Sequence, residues 1–432
     1  MERKIEIQFL NWKNSASRLP LVLQGARQVG KTYSLLQFGR KHYKNTAYFN
    51  FESSHELQAI FERDLSPERI LRELSAFTST ALIPGDTLIL FDEIQACERA
   101  LTSLKYFAEE APQYHIASAG SLLGVAINRS SHSFPVGKVQ VLTMHPLDFE
   151  EFMLAQGKHE AIELIRNCFD SNEACSLHES FLDEYRIFIG VGGMPQVLNE
   201  FFASGDYNMV MALQKNIIDA YIADMAKYAG LSETVKIMAA FKSVPAQLAK
   251  ENTKFQYKII KSGARAKNFE SAIDWLVASA TVNRCVKITE GRFPLTAFAE
   301  SASFKVYMAD TGLLCACYGI SPLVFQRETA AWQAIKGVLA ENYVSSALTC
   351  NGHKPYYWES EGKAEVDFVI QTHTGEIIPI EVKSSDNVRS KSLQQFISRY
   401  QPPWSMRISA KNFGFENNIK SIPLYAVFCV KP

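Results

Sequence analysis

Residues 21–32, Leu-Val-Leu-Gln-Gly-Ala-Arg-Gln-Val-Gly-Lys-Thr, constrain this chain more than any other stretch. An apolar run ends at Gly25, four residues follow, and Gly30-Lys31-Thr32 completes the spacing G-x-x-x-x-G-K-[ST]. The pattern predicts a strand, a tight loop and then a helix from Tyr33 to about Tyr43. Glycines let the backbone curl so that successive N–H groups face an anion, and the helix N-terminus adds partial positive charge. Gly25, Ala26, Arg27, Gln28, Val29, Gly30, Lys31, Thr32 and Tyr33 are therefore expected to surround phosphates. Lys31 would reach the outer phosphates and the Thr32 hydroxyl would ligate Mg2+. A glycine turn matching by accident is the plain alternative.

A metal at such a loop needs an acidic partner. Pro84-Gly85-Asp86 turns the chain into Thr87-Leu88-Ile89-Leu90-Phe91, an apolar run suited to a central parallel strand, and the run ends in Asp92-Glu93. Asp92 is expected to hold Mg2+ directly or through water, and Glu93 to polarise an attacking water. Two acids that merely cap a strand would not need the loop upstream. Strands at 46–51, 115–119 and 137–142, with helices at 54–82 and 100–111 between, predict an open, doubly wound α/β sheet.

At 432 residues the chain is too long for one ordinary core. Its 45 basic and 45 acidic residues cancel, so any nucleic-acid footprint has to be local. The eight cysteines are scattered, and a lone Cys315-x-Cys317 is weak for zinc, which points to reduced thiols and a cytoplasmic protein. No apolar run reaches spanning length, so no membrane association is expected.

With Ala-Gly-Ser-Leu-Leu-Gly at 119–124, the loop and the Asp92-Glu93 strand resemble AAA+ ATPases. Phe-Pro-Val-Gly at 134–137, Pro146-Leu147-x-Phe149-x-Glu151-Phe152 and Gly192-Gly193-x-Pro195 narrow the resemblance to prokaryotic AAA-type ATPases with a winged helix and a nuclease-like tail. The resemblance implies ATP as the nucleotide and a multidomain α/β fold. An AAA+ P-loop parallel sheet would cover residues 1–150, a helical lid 151–230, a winged helix 231–325 and a restriction-endonuclease-like α/β domain 326–432. It implies Ser121 (or Ser118) as the polar sensor of the γ-phosphate and Arg129 as a finger for a neighbouring subunit. A helix-capping serine and a solvated arginine are the alternatives. Gly192-Gly193-Met194-Pro195 would sit where the lid meets the nucleotide, but without the arginine that many such lids offer. Ring, dimer and monomer are all compatible with the sequence.

Two further segments carry chemistry. Lys254, Lys258, Lys261 and Arg265 are spaced four, three and four residues apart, so a helix unbroken at Gly263 would gather them on one DNA-facing side. A β-ribbon with strands at 281–288 and 293–298 would form the wing; packing between domains would suit the same residues. In the tail, strand alternation sets Glu365 and Asp367 on one face, with Val366, Phe368 and Ile370 on the other. Across a Thr374-Gly375 turn, Glu381 and Lys383 share a face. Glu341 leans towards an apolar helix face, where a charge needs a partner or a metal. The order Glu341, Asp367, Glu381-x-Lys383 resembles the PD-(D/E)xK nuclease fold. That implies a second divalent ion, Mg2+ or Mn2+, on the three carboxylates, with Lys383 orienting a water. An ion-pair network in which Lys383 neutralises Glu381 fits the same pattern.

Two functions follow. In one, ATP hydrolysis drives DNA binding or processing. In the other, a nucleotide-dependent switch acts on a protein partner and the tail cuts nothing.

Overall fold

The structure is a computed structural model and describes residues 1–120, 135–228, 230–250, 253–326, 329–360, 364–385 and 391–432. The chain divides into two compact units: Glu2–His145 with Ala278–Ala280, and Pro146–Val277 with Thr281–Pro432 and Met1.

In the first unit β1 (Leu21–Gln24), β2 (Asn45–Asn50), β3 (Thr87–Asp92), β4 (His115–Ala119) and β5 (Gln140–Thr143) form a sheet of order β2-β3-β4-β1-β5. Every pairing in it is parallel. β3 and β4 are buried along their whole length, β3 through its apolar run and β4 with its polar His115 and Ser118 hydrogen-bonded. One side of the sheet is sealed by an aromatic cluster, with Phe51 and Phe61 edge-on to Phe91 at 5.4 and 5.9 Å. The helical stretch expected at 54–82 is two helices, His55–Glu62 and Pro67–Thr78. Pro67 has no N–H to donate and so opens a new helix rather than continuing the old one. Buried Arg69 ties the break together, donating to Asp64 Oδ1 (2.8 Å) and to the Ile60 carbonyl (2.9 Å).

The second unit begins with helices from Phe149 to Tyr228. Its sheet contains β6 (Val282–Ile288), β7 (Ala299–Met308), β8 (Tyr356–Ser360), β9 (Ala364–Gln371), β10 (Ile377–Val382), β11 (Ser405–Ser409), β12 (Gly414–Glu416) and β13 (Ile419–Pro423). Among the described residues the order is β12-β13-β11-β10-β9-β8-β6-β7. The ribbon partner of β6 is therefore 299–308, not the expected 293–298. Pro294 cannot donate to a ladder, and Leu295–Phe298 forms a short 3-10 turn instead. Nor is the ribbon free-standing: β6 pairs in parallel with β8, so one sheet runs through the expected boundary at 325/326.

The helix Ala330–Cys350 is pinned to the end of β7 by buried Asn342, which accepts from Met308 N (2.8 Å) and donates to Met308 O (3.1 Å). A second core joins Trp358, Val366, Val369 and Phe396. The motifs at 146–152 and 192–195 have architectural places. Asp148 and Glu151 form a capping box on the helix Phe149–Ala155. Gly193 N donates to buried Asp310 Oδ2 at 2.6 Å and its carbonyl accepts from Leu147 N at 2.8 Å. Asp310 also caps the helix Thr311–Tyr318 through Leu313 N.

A Cβ on Gly193 would meet the Leu147 carbonyl oxygen at 2.0 Å. Gly193→Ala should cost about 1–3 kcal/mol, lowering the urea midpoint of the second unit, which holds Trp275, Trp332, Trp358 and Trp404. In the first unit, burial and then the nearby Arg18 and Lys13 charges hold His115 down at about 4, while Tyr43 shares a hydrogen bond with its Nδ1 at 2.7 Å. A depressed histidine contributes stability above its unfolded pKa, near 6.5, and loses it as pH falls towards 4. His115→Gln should flatten that acid destabilisation, worth a few kcal/mol, in unfolding followed at Trp12.

Candidate functional site

The expected phosphate loop leaves β1 through backbone conformations that favour glycine. Gly25 has φ +146°, Gln28 +66° and Gly30 +94°. A Cβ on Gly25 would meet the Met144 carbonyl oxygen at 2.1 Å, so only glycine fits beside β5. Gly30 opens the helix Lys31–His42, and these reversals turn main-chain N–H groups into an anion nest at its N-terminus. Arg3 braces the loop, donating to the Val29 (2.8 Å) and His145 (2.7 Å) carbonyls. Lys31 is buried, and its Nζ donates to the Gly25 (2.9 Å) and Ala26 (2.7 Å) carbonyls, which holds its charge inside the loop. Val29 is buried, whereas Arg27, Gln28 and Tyr33 are exposed.

β3 delivers the acidic pair. Thr32 Oγ1 donates to Asp92 Oδ1 at 2.9 Å, and Tyr48 OH donates to Asp92 Oδ2 at 2.7 Å. Burial, then the bond to Asp92, pushes the Tyr48 phenol up to about 12. Glu93, just past the end of β3, has φ +48°, a conformation that costs a non-glycine residue roughly 1–3 kcal/mol. Its Oε2 accepts from Gln95 Nε2. The Thr32 hydroxyl and the Asp92 carboxylate are adjacent oxygen donors, the kind a hard cation such as Mg2+ takes, so this pair fits the ion. Ser118 is buried and donates to the Leu21 carbonyl (2.9 Å), which ties β4 to β1. Ser121 and Arg129 lie outside the described residues.

The tail residues are near one another but differently engaged. Two residues of β9, Asp367 and Phe368, stand opposite Tyr357 of β8, a bulge that breaks the expected alternation. Val366 and Val369 consequently share one core, and Phe368 meets the ring of Tyr307 at 5.7 Å. Asp367 Oδ2 accepts from Val382 N at 2.7 Å. Burial first, then the Glu341 and Glu381 charges, raises Asp367 well above the usual carboxylate range, with Lys305 opposing. Lys383 Nζ lies 2.6 Å from Glu381 Oε1. Glu341 accepts from Lys305 Nζ at 3.0 Å and from Tyr307 OH. Among the described residues, no three His, Cys, Asp or Glu side chains are disposed to hold a metal ion.

The basic segment is not one helix. A single turn spans Tyr257–Ile260, Lys261 is extended, Gly263 has φ +76°, and a new helix runs from Ala266 to Ala278. The one-faced stripe expected of Lys254, Lys258, Lys261 and Arg265 is lost at that break. Lys258, Lys261 and Arg265 are exposed, while Lys254 is half-buried and bridges to Lys305 of β7.

Residues 17–153 match a family described as an AAA domain. The first unit's nucleotide loop belongs to that AAA domain. Residues 182–324 and 336–427 match two families described as domains of unknown function. No curated protein matches the chain. Solved structures similar to it include the Aeropyrum pernix ORC2 protein in ADPNP–ADP complexes, at 10% identity over 78% of this chain and 91% of that one, with TM-score 0.34. Cdc6p from Pyrobaculum aerophilum (13% identity, 78% and 93% covered, TM-score 0.27) and AMPPCP-bound DnaA from Aquifex aeolicus (14%, 63% and 87%, 0.26) are similar at the same level. Likenesses this remote carry no function across. No helix among the described residues is long and apolar enough to cross a membrane.

Sequence reasoning missed Tyr48, Arg3 and Lys305. Their chemistry depends on pairing across the fold, and no local spacing announces it. Tyr48→Phe should destabilise the AAA domain by about 1.5–3 kcal/mol, the range for a hydrogen bond to a charged group, in urea unfolding read at Trp12.

Proposed function

We propose that the AAA domain binds ATP with Mg2+ and hydrolyses it, and that turnover is coupled to DNA binding by the second unit. The observation that carries the first half is the Thr32–Asp92 hydrogen bond beside a buried Lys31. In this reading Thr32 and Asp92 hold Mg2+, Lys31 neutralises the outer phosphates, and Glu93 orients the attacking water. Ser121 and Arg129 keep the sensor and finger roles that the resemblance implies. The second half rests on Lys258, Lys261 and Arg265, exposed cations able to neutralise phosphates without choosing a sequence.

A second reading is a nucleotide-dependent switch acting on a protein partner, with a tail that does not cut. One observation favours it: the Lys383 ammonium is taken up by Glu381 in an ion pair instead of standing free to orient a water.

Lys31→Ala and Glu93→Gln should each lower Mg2+-dependent ATP turnover by about 100-fold or more, the scale of a lost general base or charge clamp. DNA affinity measured by fluorescence anisotropy across a salt series should fall in Lys258→Ala/Lys261→Ala/Arg265→Ala, with a salt slope shallower by roughly one for each phosphate-neutralising cation removed. Full ATP turnover without salt-dependent DNA affinity would transfer the assignment to the switch. Metal-dependent cleavage abolished by Lys383→Ala would overturn the non-cutting tail.

A further inference from the structure

Lys305 of β7 belongs to no motif, yet among the described residues it is a fully buried charge set against the carboxylates of the tail. Its side chain is 0% exposed, and its Nζ lies 3.0 Å from Glu341 Oε1 and 2.5 Å from Glu365 Oε1. The ammonium also lies 5.2 Å from the centre of the Tyr357 ring, and Tyr307 donates to the same Glu341 oxygen. Lysine is almost never fully buried unless paired, because desolvating an ammonium is costly. Here burial works against the charge, and Glu341, Glu365 and Asp367 more than offset it.

A metal-dependent reading of the tail needs Glu341, Asp367 and Glu381 as ligands of one ion. Glu341 Oε1 is occupied by an ammonium and a phenol. Asp367 accepts from Val382 N, and one oxygen of Glu381 faces Lys383. Glu381 Oε2 is buried without a hydrogen-bond partner. What remains, Asp367 and one oxygen of Glu381, faces the Lys305 ammonium in the same cluster, and that fixed positive charge repels a divalent ion.

We propose that Lys305 is the resident cation of this acidic cluster, a fixed ammonium that supplies the positive charge a divalent ion would bring and withdraws Glu341 and Glu365 from metal ligation. The tail then keeps a nuclease-like order of residues around an internal ion-pair network and retains no divalent metal. This goes beyond the nucleotide reading and does not depend on it.

The test is Mn2+ binding, followed by electron paramagnetic resonance, on the full chain without nucleotide in a Thr32→Ala/Asp92→Asn background that removes both AAA-domain ligands. With Lys305 present, no stoichiometric Mn2+ should be held at millimolar concentration. Lys305→Met should gain one Mn2+ per chain, lost again when Asp367→Asn is added. An ion bound with Lys305 intact and lost in Asp367→Asn would overturn the proposal. So would a folded Lys305→Met protein, checked by circular dichroism, that gains no Mn2+. Should Lys305→Met fail to fold, the comparison of Asp367→Asn with its Lys305-containing parent still decides.

Discussion

Parallel pairing to a shared neighbour decides where the chemistry of the first unit lies. β1 and β3 both hydrogen-bond β4 in parallel, so their carboxyl ends emerge at one edge of the sheet. The loop after β1 and the acids at the end of β3 are thereby set on either side of β4, where open α/β sheets gather ligands. Thr32 meets Asp92 across 60 residues of sequence for that reason alone. Much of the rest serves this edge. Gly25 admits the main chain of Met144, Arg3 braces the loop from just ahead of the first helix (Ile5–Asn14), and Tyr48 on β2 fixes the second oxygen of Asp92.

The second unit depends on a different constraint, the need to satisfy buried charge. Asp310 is taken out of water and met by main-chain N–H groups of Gly193 and Leu313, which leaves its carboxyl raised by burial and lowered by those bonds. The glycine pair at 192–193 follows from this clasp, because a side chain at either position would collide with Asp310 or Leu147. Lys305 among Glu341, Glu365 and Asp367 is the same problem solved with an ammonium. A partly satisfied network costs more than an apolar core, so these residues are held in place as a group.

Much of the first unit was legible in the sequence because its signals are local. Apolar runs ending in Gly25 and Asp92 marked the buried strands, and glycine spacing marked the loop. The strands at 356–359, 365–371 and 377–383 were equally legible, from runs bounded by turn residues. What failed was inference across an interruption. A proline split the helix expected at 54–82, a glycine split the basic stripe at 263, and a bulge at Asp367-Phe368 cancelled simple alternation on β9.

The sequence by itself determined the phosphate loop, its acidic partner and the alternation of strands and helices around them, since each is written in residues close along the chain and governed by backbone geometry. Only the tertiary structure decided which charges meet. Tyr48 reaches Asp92, Lys305 reaches Glu341 and Glu365, and the ribbon of β6 and β7 joins the sheet of β8 to β13. A buried ion pair links residues far apart in the chain, and its partners are chosen by desolvation and packing, which no spacing rule records.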